Sequence, residues 1–167
     1  VGWNTRLVDG KWVPTFPNAR YLFAKREFDH WMDPSATDIG FGDVMGDSVK
    51  PVVEAGLSEL VEANHRVTAE VWLEPTPGHT PGHVSIRISS KGQDAVITGD
   101  MMHHPVQIAV PDLSSNFCSD PQLARETRAA FLDRYSERPV LVLGTHFATP
   151  TGGHVVKDGA TYKLNVT

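Results

Sequence analysis

Two short apolar runs, each ending at a glycine and a polar residue, constrain the fold more than any other feature of this sequence. Residues 95–98 (AVIT) run into Gly99 and Asp100, and residues 140–143 (VLVL) run into Gly144, Thr145 and His146. Short apolar, β-branched runs bounded by turn residues are typical of buried strands. Because loops just beyond rigid strands can bring distant residues together, Asp100 and His146 are the first candidates for a functional site.

The rest of the chain predicts alternating strands and helices. Residues 20–24, 71–74 and 84–88 have strand patterns, and residues 155–166 are typical of a closing hairpin with an Asp-Gly turn. A helix is expected from Pro121, capped by Asp120, until Pro139 stops it, and another over 48–61, capped by Ser48. Residues 1–17 and 33–47 are predicted to be irregular. This order indicates an α/β (α+β) fold with mixed sheets flanked by helices.

Composition narrows the class of protein. The 167 residues fit one domain, with 40% hydrophobic and 21% charged residues and a net charge of -5. Without a Lys/Arg cluster we expect no nucleic-acid partner, and without a long apolar run we expect no membrane partner. The single cysteine, Cys118, rules out an intrachain disulfide framework and favours a reducing compartment, so we expect a cytoplasmic protein.

The loop PTPGHTPGH, residues 75–83, is unusually rich in histidine. Its prolines stiffen the backbone, which lowers the entropy cost of holding a ligand in place. His79 therefore joins Asp100 and His146 as a candidate, and imidazole and carboxylate are together a ligand set for zinc and similar divalent metals. His83 begins a strand and is expected to orient the loop or a ligand from behind.

Three further histidines are expected around a pocket. His103 and His104 follow Asp100 closely and could line its mouth, and His154 is a weaker pocket candidate. No phosphate-binding loop, nucleophile elbow or CxxC pair is present, so metal-assisted hydrolysis is the sharpest enzymatic hypothesis.

The motifs TPGHTPGH, TGDMMHHPVQ and LVLGTHFATPTGGHVV resemble the metallo-β-lactamase-fold hydrolases, more narrowly a branch with lactonase-like and organophosphate- or ester-hydrolysing members. The resemblance implies an αββα sandwich with a dinuclear metal site. His79 would bind the first metal, Asp100 would bridge both metals, and His146 would bind the second. A metal-bound hydroxide would attack the substrate, with no catalytic side chain beyond it. Phe147 and His154 would be substrate contacts.

One family motif is missing. No His-x-His occurs in the chain, although the family signature HxHxDH supplies further metal ligands. In this branch that signature is typically followed by a sequence resembling VGWNTR, with which this chain opens. We therefore expect residues 1–167 to be the C-terminal part of a single metallo-β-lactamase-like domain. Such a fragment should bind metal weakly, be inactive alone, and aggregate or fold poorly because its sheet edges are open.

The expected function is hydrolysis of an ester, lactone or phosphoester bond in a small-molecule substrate. Two zinc ions are the expected cofactors of the complete enzyme, with iron, manganese or cobalt as alternatives. A glyoxalase-II-like thioesterase and a non-catalytic binding module that retains half the fold are the alternative functions. A homodimer is the candidate assembly.

Overall fold

The computed structural model describes residues 2–36 and 42–166. The chain divides into two compact units, Val1–Glu62 and Ala63–Thr167. That residues 1–167 are part of a single catalytic domain stays a prediction. Among the described residues, no helix is both long and apolar enough to cross a membrane.

The strands are β1 (Thr5–Val8), β2 (Lys11–Pro14), β3 (Tyr21–Ala24), β4 (Ser58–Val61), β5 (Val71–Pro75), β6 (Val84–Ser90), β7 (Gln93–Ile97), β8 (Val140–Leu143), β9 (Gly152–Asp158) and β10 (Thr161–Asn165). The α-helices are α1 (Lys25–Met32), α2 (Lys50–Glu54), α3 (Val106–Ala109) and α4 (Pro121–Tyr135), with a π-helical turn over Met45–Val49 and a 3₁₀ turn over Gly99–Met101.

The first unit corrects two sequence predictions. Residues 1–17 are not irregular, because β1 and β2 form an antiparallel hairpin whose turn residues Asp9 and Gly10 have φ angles of 48° and 77°. The helix predicted over 48–61 ends at Glu54, Ser48 does not cap it, and β4 follows and pairs in parallel with β3. Gly56, with φ of 69°, ends the helical conformation, and tertiary pairing then overrides the apolar helix pattern. The predicted loop over 33–47 falls partly on residues 37–41, outside the described residues.

The second unit is built on one six-stranded sheet of order β10-β9-β8-β7-β6-β5. Strands β7 and β8 are parallel, and the other neighbours are antiparallel. The strands predicted at 71–74, 84–88, 95–98 and 140–143 and the closing hairpin are confirmed, as is the helix predicted from Pro121, which ends at Tyr135, a few residues before Pro139.

Helix α4 covers the sheet with a mostly apolar face. Its buried residues Phe131, Leu132 and Tyr135 join a cluster that includes Val96 of β7 and Val142 of β8, both fully buried. Burial of one such side chain contributes about 1.5–3 kcal/mol, so this packing fixes both strands beneath the helix.

Candidate metal centre

Strand directions bring the three predicted ligands to one edge of the six-stranded sheet. Because β7 and β8 are parallel, with Ile97 opposite Leu143, the residues after each strand leave at the same edge. Strand β6 runs antiparallel to β7, so the loop that precedes β6 enters at this edge too. His79, Asp100 and His146 therefore meet, although 67 positions separate the first from the last.

The Asp100 carboxylate lies between two imidazoles. Its Oδ2 is 3.4 Å from Nε2 of His79, and its Oδ1 is 3.0 Å from Nε2 of His146. Each carboxylate oxygen thus faces a different histidine.

His103 lies against both of these histidine rings. Its ring centroid is 5.0 Å from that of His79 and 5.1 Å from that of His146, with a stacked angle of 20° to the latter. One donor atom each from His79, Asp100 and His103 lie within 4.8 Å of one another. The structure therefore brings His103 into the cluster itself.

The donor spacing fits a divalent metal. Tetrahedral zinc with bonds of about 2.0 Å places two donor atoms roughly 3.3 Å apart, and His79 Nε2 and Asp100 Oδ2 are separated by 3.4 Å. Two imidazoles and a carboxylate also match the donor types that zinc takes in catalytic sites.

The electrostatics of the cluster favour an ionised Asp100 and a neutral His103. Burial alone would raise the pKa of Asp100, but the hydrogen bond from His146 and the charges of His146, His79 and His103 outweigh it and lower that pKa below its ordinary value. Burial lowers the pKa of His103, and His79 adds to the effect. These are the protonation states that a metal requires of its ligands.

His83 lies behind Asp100 and holds its backbone. Its Nδ1 is 3.0 Å from the carbonyl oxygen of Thr76, which only accepts, so Nδ1 carries the proton. Nε2 is then an acceptor, and it receives the backbone N–H of Asp100 at 2.9 Å. That His83 supports a metal ligand stays a prediction.

A chain of buried hydroxyls links the His79 loop to the end of β7. Thr76 Oγ1 lies 3.0 Å from Ser85 Oγ, and Ser85 Oγ donates to the carbonyl oxygen of Thr98 at 3.0 Å. All three residues are at most 3% exposed. Since these bonds are shielded from water, they fix the loop relative to Asp100.

The His79 loop is also attached to the start of α4. The backbone N–H of Ser119 donates to the carbonyl of His79 at 2.8 Å, and that of Asp120 donates to the carbonyl of Gly78 at 3.0 Å. Thr127 Oγ1 donates to the carbonyl of Pro77 at 2.7 Å. Gly78 is required here, because its φ is 130° and a Cβ would lie 2.4 Å from the Ala124 backbone.

The family model of the metallo-beta-lactamase superfamily matches residues 1–146. The chain belongs to this superfamily. No curated protein sequence gives a significant match.

Solved structures of the superfamily share the fold. The hydrolase AbOPH superposes with a TM-score of 0.82 at 23% identity, over 93% of this chain and 57% of its own. AidC, a dizinc quorum-quenching lactonase, superposes with a TM-score of 0.76 at 20% identity. The match covers 92% of this chain and 56% of AidC. A probable metal-dependent hydrolase from Staphylococcus aureus superposes with a TM-score of 0.67 at 18% identity. The match covers 92% of this chain and 55% of that protein. The chain thus spans little more than half the length of these proteins, and the predicted fold class, a partial metallo-β-lactamase sandwich, is confirmed.

The remaining predicted site residues of this superfamily member lie outside the cluster. His104 is exposed, and its Nδ1 accepts the backbone N–H of Val106 at 3.0 Å. His154 lies on β9 opposite Asn165. Phe147 is 6% exposed and packs in the core against Gly144, so its ring supports the last loop from inside. Substrate contact by these three residues stays a prediction.

Sequence reasoning missed two buried polar residues beside the cluster, Gln107 and Arg128. They are 4% and 1% exposed. The sequence contained a signal for Arg128. This arginine lies on the same buried face of α4 as Ala124, Phe131 and Leu132, and a charged residue is unusual on an apolar helix face.

Proposed function

We propose that this chain is part of a metal-dependent hydrolase that cleaves an ester, lactone or phosphoester bond with two zinc ions in the complete enzyme. Superfamily membership supports the general class. The observation that carries the proposal is the Asp100 carboxylate, which faces His79 with one oxygen and His146 with the other. This is the arrangement expected of a carboxylate that bridges two ions.

In this proposal His79 and Asp100 hold the first ion, and Asp100 and His146 hold the second. A bound divalent ion supplies Lewis acidity, which lowers the pKa of water and polarises a carbonyl or phosphoryl oxygen. His83 fixes the direction of the Asp100 backbone through the 2.9 Å bond to its N–H. His103 lies against the rings of His79 and His146 and is proposed to donate to or accept from a substrate.

Lactones are the first substrate class to test. AidC is described as a dizinc lactonase in complex with N-hexanoyl-L-homoserine, and an N-acyl homoserine lactone hydrolase is another similar structure. Both are under 25% identical to this chain, so they support the choice of substrate panel through the shared fold alone.

The chain by itself is proposed to bind metal weakly and to be inactive. Catalytic zinc takes three protein ligands and a water. In this proposal the described residues offer two ligands to each ion, His79 and Asp100 to the first and Asp100 and His146 to the second. A site short of ligands loses affinity and holds its ion poorly.

The test compares this chain with a version extended upstream. Both are loaded with zinc, analysed for metal content, and assayed on a lactone, a carboxylic ester, a phosphotriester and a thioester. We expect two zinc ions and hydrolysis of one of the first three substrates in the extended protein, with neither in this chain. Asp100→Asn should abolish activity, and Asp158→Asn, the same substitution at an exposed residue of β9, is the matched control.

Three outcomes would contradict the proposal. Preferred cleavage of the thioester would support the glyoxalase-II-like alternative. A folded extended protein that cleaves no substrate would support the binding module. Tight binding of two zinc ions by the 167-residue chain would contradict the proposed shortage of ligands.

A further inference from the structure

We propose that Gln107 and Arg128 are positioning residues, which hold residues 101–104 so that Asp100 and His103 face His79. The inference rests on the proposed function, because it assumes that Asp100 is a metal ligand. Gln107 lies on α3 and Arg128 on α4, and both side chains are directed at the segment that follows β7.

Gln107 holds the backbone at His103. Its Oε1 accepts the N–H of His103 at 2.7 Å and that of His104 at 3.3 Å. Its Nε2 donates to the carbonyl oxygen of Leu113 at 2.8 Å. With 4% of its surface exposed, water cannot readily replace these bonds.

Arg128 holds the backbone next to Asp100. It donates to the carbonyl oxygens of Met101 at 3.0 Å, Pro111 at 2.8 Å and Leu113 at 2.9 Å, and to Ser114 Oγ at 3.3 Å. Every one of these acceptors is uncharged. Burial of a guanidinium without a carboxylate partner opposes folding. The planar guanidinium of Arg128 presents several N–H donors in a fixed geometry, and a shorter or apolar side chain could not make the same set of bonds.

The two side chains converge with His83 on one short segment. His83 accepts the N–H of Asp100, Arg128 donates to the C=O of Met101, and Gln107 accepts the N–H of His103. Both Gln107 and Arg128 also bind the carbonyl of Leu113, which ties this segment to residues 111–114. Buried side chains thus fix the backbone on both sides of Asp100 and at His103, which sets the directions of their side chains.

A purely stabilising role would produce the same contacts, so the test must measure site geometry and not stability alone. The variants are Gln107→Leu, Gln107→Glu and Arg128→Met. The control is Arg134→Met, an exposed arginine of the same helix whose partner is Glu74. The readouts, taken below the unfolding transition, are long-range ¹H–¹⁵N spectra of the imidazole rings in the metal-free chain and zinc affinity by competition with a chromophoric chelator.

We expect Gln107→Leu and Arg128→Met to displace the ring signals of His103 and to weaken zinc binding about tenfold or more, as loss of supporting contacts around a metal site typically does. Gln107→Glu retains the acceptor oxygen for His103 and should keep its ring signals near those of the wild type. Arg134→Met should change neither readout.

The inference is overturned if Gln107→Leu and Arg128→Met are folded, melt at lower temperature, and yet retain wild-type ring signals and zinc affinity. If Arg128→Met does not fold, Gln107→Leu decides, since it removes no charge. If the wild-type chain binds no zinc, the proposed metal function fails for this chain. The ring spectra then decide the positioning role separately: displaced signals support it, and unchanged signals overturn it.

Discussion

Gly99 shows how closely single residues are adapted to the site. It separates β7 from Asp100, has φ of 57°, and a Cβ built on it would lie 2.6 Å from Nε2 of His83. That nitrogen accepts the Asp100 N–H. A side chain at Gly99 would therefore strain the backbone and displace the histidine that holds the Asp100 backbone.

We predict that Gly99→Ala destabilises the chain more than Gly92→Ala. Gly92 also has a positive φ, 74°, but has nothing within 4 Å of an added Cβ. The left-handed backbone should cost about 1–2 kcal/mol in both variants. The collision with His83 should add roughly 1–3 kcal/mol for Gly99→Ala alone. Urea unfolding measures both, and equal destabilisation would show that the contact with His83 is unimportant.

Helix α4 is the element that connects the core to the His79 loop. Asp120 caps it, with Oδ1 accepting the N–H of Leu123 at 2.9 Å, while the backbone N–H of Asp120 donates to Gly78. The sequence predicted this cap, but the attachment of the loop to it depends on the folded arrangement.

The contribution of the Asp120 cap to stability can be measured by comparing two substitutions at this position. Asp120→Ala is expected to lower the free energy of unfolding by about 1 kcal/mol, because one N–H of the first turn loses its acceptor. Asp120→Asn keeps a side-chain oxygen, so its free energy of unfolding should fall by only a few tenths of the loss expected for Asp120→Ala. If the two variants unfold alike in urea, the side-chain oxygen does not stabilise the helix.

At the other end of α4, Tyr135 should make stability depend on alkaline pH. Burial raises the pKa of Tyr135 to about 12, and its hydrogen bond to Glu74 at 2.5 Å adds to the effect. The ordinary value is 10.0, so the folded state favours the protonated phenol. Its contribution is therefore complete below pH 10 and is lost as the pH rises towards about 12.

Tyr135→Phe tests this dependence. It should reduce the free energy of unfolding by about 1–3 kcal/mol at pH 8, because Glu74 loses a buried donor. The difference from the wild type should shrink as the pH rises above 10, measured by urea unfolding at successive pH values. A difference that stays constant across this range would contradict the raised pKa. The control is Tyr21→Phe, because the hydroxyl of Tyr21 bonds to backbone groups, the N–H of Phe16 and the carbonyl of Asn4, and not to a carboxylate.

On the scale of the whole molecule, all the candidate ligands belong to the second unit, Ala63–Thr167. Binding to a folded state shifts the unfolding equilibrium of that state. Metal binding by these residues should therefore appear as a change in global stability, even in a chain that is not active.

We predict that zinc raises the melting temperature of the chain and that a chelator reverses the rise. Zinc at a hundred times its dissociation constant would add about 2.7 kcal/mol. Asp100→Asn should remove most of the shift, since it takes a charge from between His79 and His146, whereas His104→Gln should retain it. A shift of equal size in Asp100→Asn would mean that zinc binds elsewhere.

Local patterns were sufficient for the parts of the fold that local interactions decide. The strands before Asp100 and His146, the capped helix α4 and the closing hairpin follow from apolar runs and turn residues. The helix predicted through residue 61 failed because β4 forms by pairing with β3, a partner far away in sequence. The β1–β2 hairpin carried an Asp-Gly signal that the irregular composition around it concealed.

The sequence by itself determined which residues are the candidate donors, His79, Asp100 and His146, because their residue types and their positions after strands are local properties. Only the tertiary structure decided how they meet, since the parallel pairing of β7 and β8 and the entry of the β6 loop bring them to one edge. It also decided that His103 joins them and that Gln107 and Arg128 lie buried behind them. Contacts between residues distant in the chain depend on strand order and helix packing, which local sequence patterns do not encode.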